Sequence, residues 1–159
     1  MKFNSALRNF VLVLFSTLLI SACSTAKKAS VDTVDDVYTG TDTVEYLAKG
    51  VPDRVFFATN KSKLTTRSRD TLRKQATWLR KNKDVTVTVE GHADERGTRE
   101  YNLALGERRA NAAKDYLMTY GVSGKRMSVI SYGKEKPVNP ASNPLAWSQN
   151  RRSVSVKAN

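Results

Sequence analysis

Val85, Val87 and Val89 alternate with Thr86, Thr88 and Glu90, the period of a strand with one buried and one polar face. The strand runs directly into Gly91-His92-Ala93-Asp94-Glu95-Arg96-Gly97-Thr98-Arg99-Glu100-Tyr101-Asn102, and that segment into Leu105-Gly106-Glu107-Arg108-Arg109-Ala110-Asn111. The second stretch opens a helix from about Asn102 to Tyr120, closed by Gly121 in the C′ position. A dense set of polar side chains therefore falls where a strand ends and a helix begins, the place where loops on rigid scaffolds carry function.

The other elements follow from the same periodicities. Arg54-Val55-Phe56-Phe57 reads as a short strand, and Thr65 or Thr66 can cap a helix carrying Leu72, Ala76 and Leu79 on one face. Met127 to Tyr132 and Ser153 to Val156 read as two further strands. Between them lie a proline-punctuated loop, Pro137 to Pro144, and a helical turn at Leu145 to Gln149. The order β-α-β-α-β-β predicts an α+β, two-layer sandwich with both helices on one face of a mixed sheet. This domain is expected over residues 51–159, enough for one core and too few for two.

The N-terminus is of another kind. Lys2 and Arg8 precede the uncharged apolar run Phe10 to Ile20, which is well short of the roughly 20 residues a membrane-crossing helix needs. Residues 1–22 therefore read as a cleaved export signal. The run ends in Ile20-Ser21-Ala22-Cys23, which resembles the lipobox of bacterial lipoproteins, and Cys23 is the single cysteine of the chain. With no partner thiol for an internal disulfide, Cys23 is expected to carry acyl chains that hold the mature N-terminus to a membrane leaflet. Ser24 stands where lipoproteins kept in the inner membrane typically carry Asp, so by analogy the anchor belongs to the outer membrane. Residues 24–50, rich in Thr, Ser and Asp, read as a flexible tether with a short helical turn near Thr43 to Lys49. Such a coil spans roughly 30 Å on average and at most about 90 Å.

Charge and chemistry narrow the function classes. The net charge of +12 falls to +10 once Lys2 and Arg8 are removed with the signal. The excess reads as spread over the globular part, and in an exported protein it suits anionic envelope polymers better than nucleic acid. His92 is the only histidine, so beside Asp94 and Glu95 it has no second nitrogen or sulfur ligand with which to build a metal site. No Gly-x-Ser-x-Gly elbow or comparable nucleophile signal appears, and the chain reads as no enzyme, with no cofactor and no metal.

The polar segment, together with Ser131-Tyr132-Gly133-Lys134-Glu135-Lys136-Pro137 and Asn150-Arg151-Arg152, resembles the OmpA-like peptidoglycan-binding domain family in the right order along the chain. With the lipobox, the likeness to lipoprotein members of that family covers essentially the whole sequence. The resemblance implies non-covalent binding of peptidoglycan, chiefly of the diaminopimelate side chain in its peptide stem. It implies an outer-membrane, lipid-anchored protein whose domain faces the periplasm, with TolB and other Tol proteins as partners in envelope integrity and division. Carried over by position, Asp94 would accept the ligand ammonium and Arg109 would grip its carboxylate, pairings that suit both groups chemically. Asn102 shares a helical stripe with Gly106 and Arg109. Family relatives carry Asp or Asn after the first strand where this chain has Ala58, so Asn60 or backbone amides near Ala58 are the expected substitutes. Arg151 and Arg152 are placed beside the pocket by resemblance, with a structural salt bridge as the alternative. Without the resemblance, Asp94 reads as a turn residue and Arg109 as part of a solvated helix face.

Overall fold

The computed structural model describes residues 36–158. The signal 1–22, Cys23 and residues 24–35 lie outside the described residues, and so do the lipid anchor and the first half of the expected tether. The described chain runs β1 (Tyr46–Ala48), β2 (Val51–Pro52), β3 (Arg54–Phe56), α1 (Thr66–Lys81), β4 (Thr86–His92), α2 (Arg99–Thr119), β5 (Met127–Gly133), α3 (Pro144–Asn150) and β6 (Arg152–Ala158). A 3-10 turn, Gly124–Arg126, leads into β5.

β1 and β2 form a small antiparallel hairpin, while the main sheet has the order β3-β6-β4-β5. The strands β3 and β6, and β6 and β4, pair antiparallel, whereas β4 and β5 pair parallel through the α2 crossover. This is the expected α+β sandwich on a mixed sheet. α1 and α2 pack on one face, where Leu72, Ala76, Leu79, Ala110, Ala113 and Leu117 meet Val55, Val87 and Val89.

Local signals explain where the helices start and stop. The Thr65 hydroxyl accepts from the Ser68 amide at 3.1 Å, the Thr98 hydroxyl from Tyr101 at 3.2 Å and the Asn143 side chain from Ala146 at 2.9 Å. Each satisfies an amide that the first turn leaves unpaired. Helix α2 therefore begins at Arg99, one turn earlier than its apolar pattern suggests. It ends as expected, with Gly121 at φ +83° and a Val122 N–H to Leu117 O bond of 3.2 Å.

Helix α2 lies unusually close to β4, because two glycines face each other there. A Cβ built on Gly91 would come within 1.8 Å of the Gly106 carbonyl oxygen, and one on Gly106 within 2.3 Å of Ser131 Oγ. The backbones touch where side chains would otherwise hold helix and sheet apart.

The expected tether differs from the structure in its second half. Tyr38 and Leu47 are buried, Tyr38 edge-on to Phe56 at 4.8 Å, and residues 46–48 form strand β1 in place of the expected helical turn. Scattered apolar residues dock singly on a core built elsewhere, a pattern that leaves no period to read.

Candidate ligand site where β3 and β4 end

Three loops meet where β3 and β4 end: Phe57–Lys61, Ala93–Thr98, and the turn from α3 into β6 at Arg151. Arg109 ties the first loop to the end of β4. Its Nε donates to Lys61 O at 2.9 Å, Nη1 to His92 O at 2.8 Å and Nη2 to Ala58 O at 3.0 Å, with the guanidinium 5.3 Å from the centre of the Phe57 ring. The side chain is fully buried, and no carboxylate among the described residues lies within ion-pairing distance of it. Burial, with Arg151 nearby, pushes its pKa down from 12.5 to about 10, against the opposing fields of Asp94 and Asp36. Arg109 is thus no solvated helix residue. It spends three of the five N–H groups a guanidinium carries on backbone carbonyls and remains a buried cation without an anionic partner.

Asp94 sits at the mouth of the same place, 7% exposed. Its Oδ1 accepts from Arg96 N and Nε, both at 3.1 Å, and its Oδ2 from Arg96 Nη2 at 2.8 Å and Arg151 Nη1 at 3.3 Å. Burial alone would raise the carboxyl pKa, but the hydrogen bonds and charge of Arg96, with Arg151, hold it below the ordinary value. Arg96 was not singled out by its position in the sequence, yet it is the main partner of Asp94. Its guanidinium stacks 4.3 Å from the Trp147 ring centre, and Trp147 Nε1 donates to Glu95 at 2.8 Å. Lys134 reaches the Gly97 carbonyl at 2.8 Å, so the loop is clamped from two sides.

The remaining expected residues divide between site and scaffold. Asn102 is buried and donates to Arg96 O at 2.8 Å, which makes it a support of the Ala93–Thr98 loop. Ala58 contributes its carbonyl to Arg109, and Asn60 stands exposed at φ 55° in the turn that Lys61 N closes on Ala58 O at 3.1 Å. Arg151 belongs to the site, with its Nε on Phe57 O at 3.1 Å. Arg152 does not: its Nη2 donates to Lys136 O at 3.2 Å, on the sheet face away from the helices. Arg152 opens β6 and follows the strand's alternation, while Arg151, in the turn before it, is left to reach the loop cluster. Burial, then the charge of Arg54, lowers the Arg152 pKa to about 10.

His92 lies inside the fold, 1% exposed, with Nε2 3.3 Å from Glu90 Oε2. Burial first, then the charges of Arg152 and Arg54, push its pKa from 6.5 to about 3. The unfolded chain then takes up this proton near pH 6.5 and the folded chain only near 3. Stability from the neutral ring is complete above the higher value and drains as pH falls, by at most about 1.4 kcal/mol per pH unit. Urea midpoints followed from pH 7 to 4 should fall with this slope, and should fall less steeply in His92→Gln. An imidazole resonance that titrates near 6.5 in the folded chain would contradict the assignment.

A family model described as the OmpA family matches residues 56–151, which span all three loops and both large helices. The chain belongs to the OmpA family. Among curated relatives it is 57% identical over 106 residues to the peptidoglycan-associated lipoprotein of Rhizobium meliloti, a match spanning 67% of this chain and 60% of that protein. It is 42% identical over 154 residues to the protein of the same description from Mesorhizobium japonicum, covering 94% of this chain and 92% of the relative. The crystal structure of the peptidoglycan-associated lipoprotein from Burkholderia pseudomallei superposes with a TM-score of 0.65 at 36% identity, over 67% of this chain and 90% of that one. In this member of the OmpA family, the match encloses Ala58, Asp94, Asn102, Arg109 and Arg151, but leaves out Asp36 and Arg152.

Proposed function

We propose that this protein is a non-catalytic outer-membrane lipoprotein that binds peptidoglycan and tethers the membrane to the wall. The observation that carries the reading is the buried Arg109 guanidinium, without an ion-pair partner among the described residues, held in the same loop cluster as the Asp94 carboxylate. A cation and an anion held in one loop cluster complement a zwitterion. The side chain of diaminopimelate, ending in an ammonium and a carboxylate, is such a group. Asp94 would take the ammonium, and the two unspent N–H groups of Arg109, with Arg151, would take the carboxylate.

Arg96 occupies Asp94 with a side chain that is 43% exposed, so it can swing out toward solvent and leave the carboxylate to an incoming ammonium. Relatives described as peptidoglycan-associated lipoproteins support the wall as ligand, and the lipobox at Cys23 supports the membrane as the other attachment. A role with TolB and other Tol proteins in envelope integrity and cell constriction extends this reading by family likeness.

The test is sedimentation of the mature protein with purified peptidoglycan, competed by free diaminopimelate. Asp94→Asn keeps the shape and the acceptor oxygen but loses the charge, and should weaken binding by about 2 to 5 kcal/mol while leaving the fold in place. Undiminished binding would remove Asp94 from the site. Release of soluble wall fragments during the incubation would point to an enzyme instead of a receptor.

A further inference from the structure

Asp36, the first described residue, lies within this loop cluster. Its Oδ1 accepts from the Thr59 amide at 2.8 Å and its Oδ2 from the Thr59 hydroxyl, while Arg151 Nη2 stands 3.1 Å from the same Oδ2. Arg151 also donates to the Asp36 carbonyl. The peptide between Ala58 and Thr59 is therefore held at both ends, its carbonyl by Arg109 and its N–H by Asp36. The charges of Arg151 and Arg96 act on this carboxylate, and its own field reaches Arg109. A carboxylate has thus been placed against Arg151 and within the field of Arg109, the two arginines that the proposed site offers to a ligand carboxylate.

Nothing in the packing makes that placement permanent. The Asp36 side chain is 51% exposed, and an exposed ion pair gains little from solvent-screened attraction. Asp36 stands ten residues before β1 begins at Tyr46, in a stretch whose first buried anchor is Tyr38. The contact can open without disturbing the sheet.

Resting on the proposed function, we infer that Asp36 is an internal competitor: the segment before the domain fills the carboxylate half of the wall-binding pocket, and the wall ligand must displace it to bind. The apparent affinity is then the intrinsic affinity reduced by the fraction of chains in which the contact is open. A contact closed in about nine chains of ten lowers affinity about tenfold. Displacement also frees the residues ahead of Tyr38 and so lengthens the reach of the segment that ends there.

The experiment compares the full mature chain, wild type and Asp36→Ala, in detergent micelles. Titration with free diaminopimelate should show about tenfold tighter binding by the variant, and hydrogen exchange at the Thr59 amide in the free chain should be faster. Equal or weaker binding by Asp36→Ala, with a thermal midpoint within a few degrees of wild type, overturns the inference and leaves the wall-binding reading standing. Unchanged Thr59 exchange overturns it as well. If neither chain binds diaminopimelate, the two readings fail together, an outcome distinct from equal binding by both. Should the variant lose its thermal midpoint, Asp36→Asn, which keeps an acceptor for Thr59 and drops only the charge, carries the same comparison, and equal or weaker binding overturns the inference there too.

Discussion

Replacing Arg109 by alanine should cost the domain about 4 kcal/mol of stability, well before any effect on ligand is measured. Three carbonyls, those of Ala58 and Lys61 in one loop and of His92 at the end of β4, converge on this one guanidinium. Hydrogen bonds to a charged donor are worth about 1.5 to 3 kcal/mol each, and buried acceptors left without a partner add their desolvation penalty. The three bonds form one network, so their contributions are not additive. For a domain of this size the loss corresponds to a melting point lower by roughly 10 to 20 °C. Arg109→Lys should recover only a minor part, since an ammonium on a flexible stem cannot match three directions fixed by a planar fork. Calorimetry of the two variants decides the matter, and a midpoint unchanged in Arg109→Ala would show the loops to be held by something else. Wall binding by Arg109→Ala must therefore be judged against its folded fraction.

The second large effect belongs to Gly91. Alanine there would place a methyl 1.8 Å from the Gly106 carbonyl oxygen, less than any non-bonded approach allows. The obstacle is helix backbone, which cannot rotate away as a side chain would, so α2 must lift from β4 along the line that carries Leu105 and Arg109 into the core. Overpacking in a well-packed interior costs about 1 to 3 kcal/mol and occasionally more. A clash against backbone belongs at the upper end, at about 3 kcal/mol or beyond. Gly91→Ala should accumulate poorly and unfold at much lower urea than wild type. Wild-type stability in this variant would mean that helix and strand do not meet as described.

Much of this architecture is written in local chemistry. The valine alternation of β4, the cap at Thr65 and the Gly121 terminus each act within a few residues and can be read without knowing the fold. The site is only half legible in the same way. Asp94 announces itself by its setting, but its partner Arg96 has the same setting two residues on and carries no period to distinguish it. Arg151 and Arg152 are adjacent and chemically identical, and only the strand that begins at Arg152 decides which of them faces the loops. Arg109 could be placed on a helix, yet its burial depends on carbonyls 48 and 51 residues away in sequence. Asp36 lies in a Thr- and Asp-rich stretch whose composition argues for disorder, and one aspartate meeting one amide leaves no pattern in sequence.

The same arrangement has a mechanical meaning. The first buried anchor of the chain, Tyr38, packs on Phe56 at the end of β3, next to the loop cluster, whereas the last described strand residue, Ala158, pairs with Thr86 at the far end of the sheet. If the membrane pulls through the N-terminal segment while the wall is gripped at Asp94, the tension enters and leaves at one corner of the domain. The strands bear almost none of it as shear. Such a linkage yields by letting go of its ligand long before the sheet is torn open, and it can be loaded again intact.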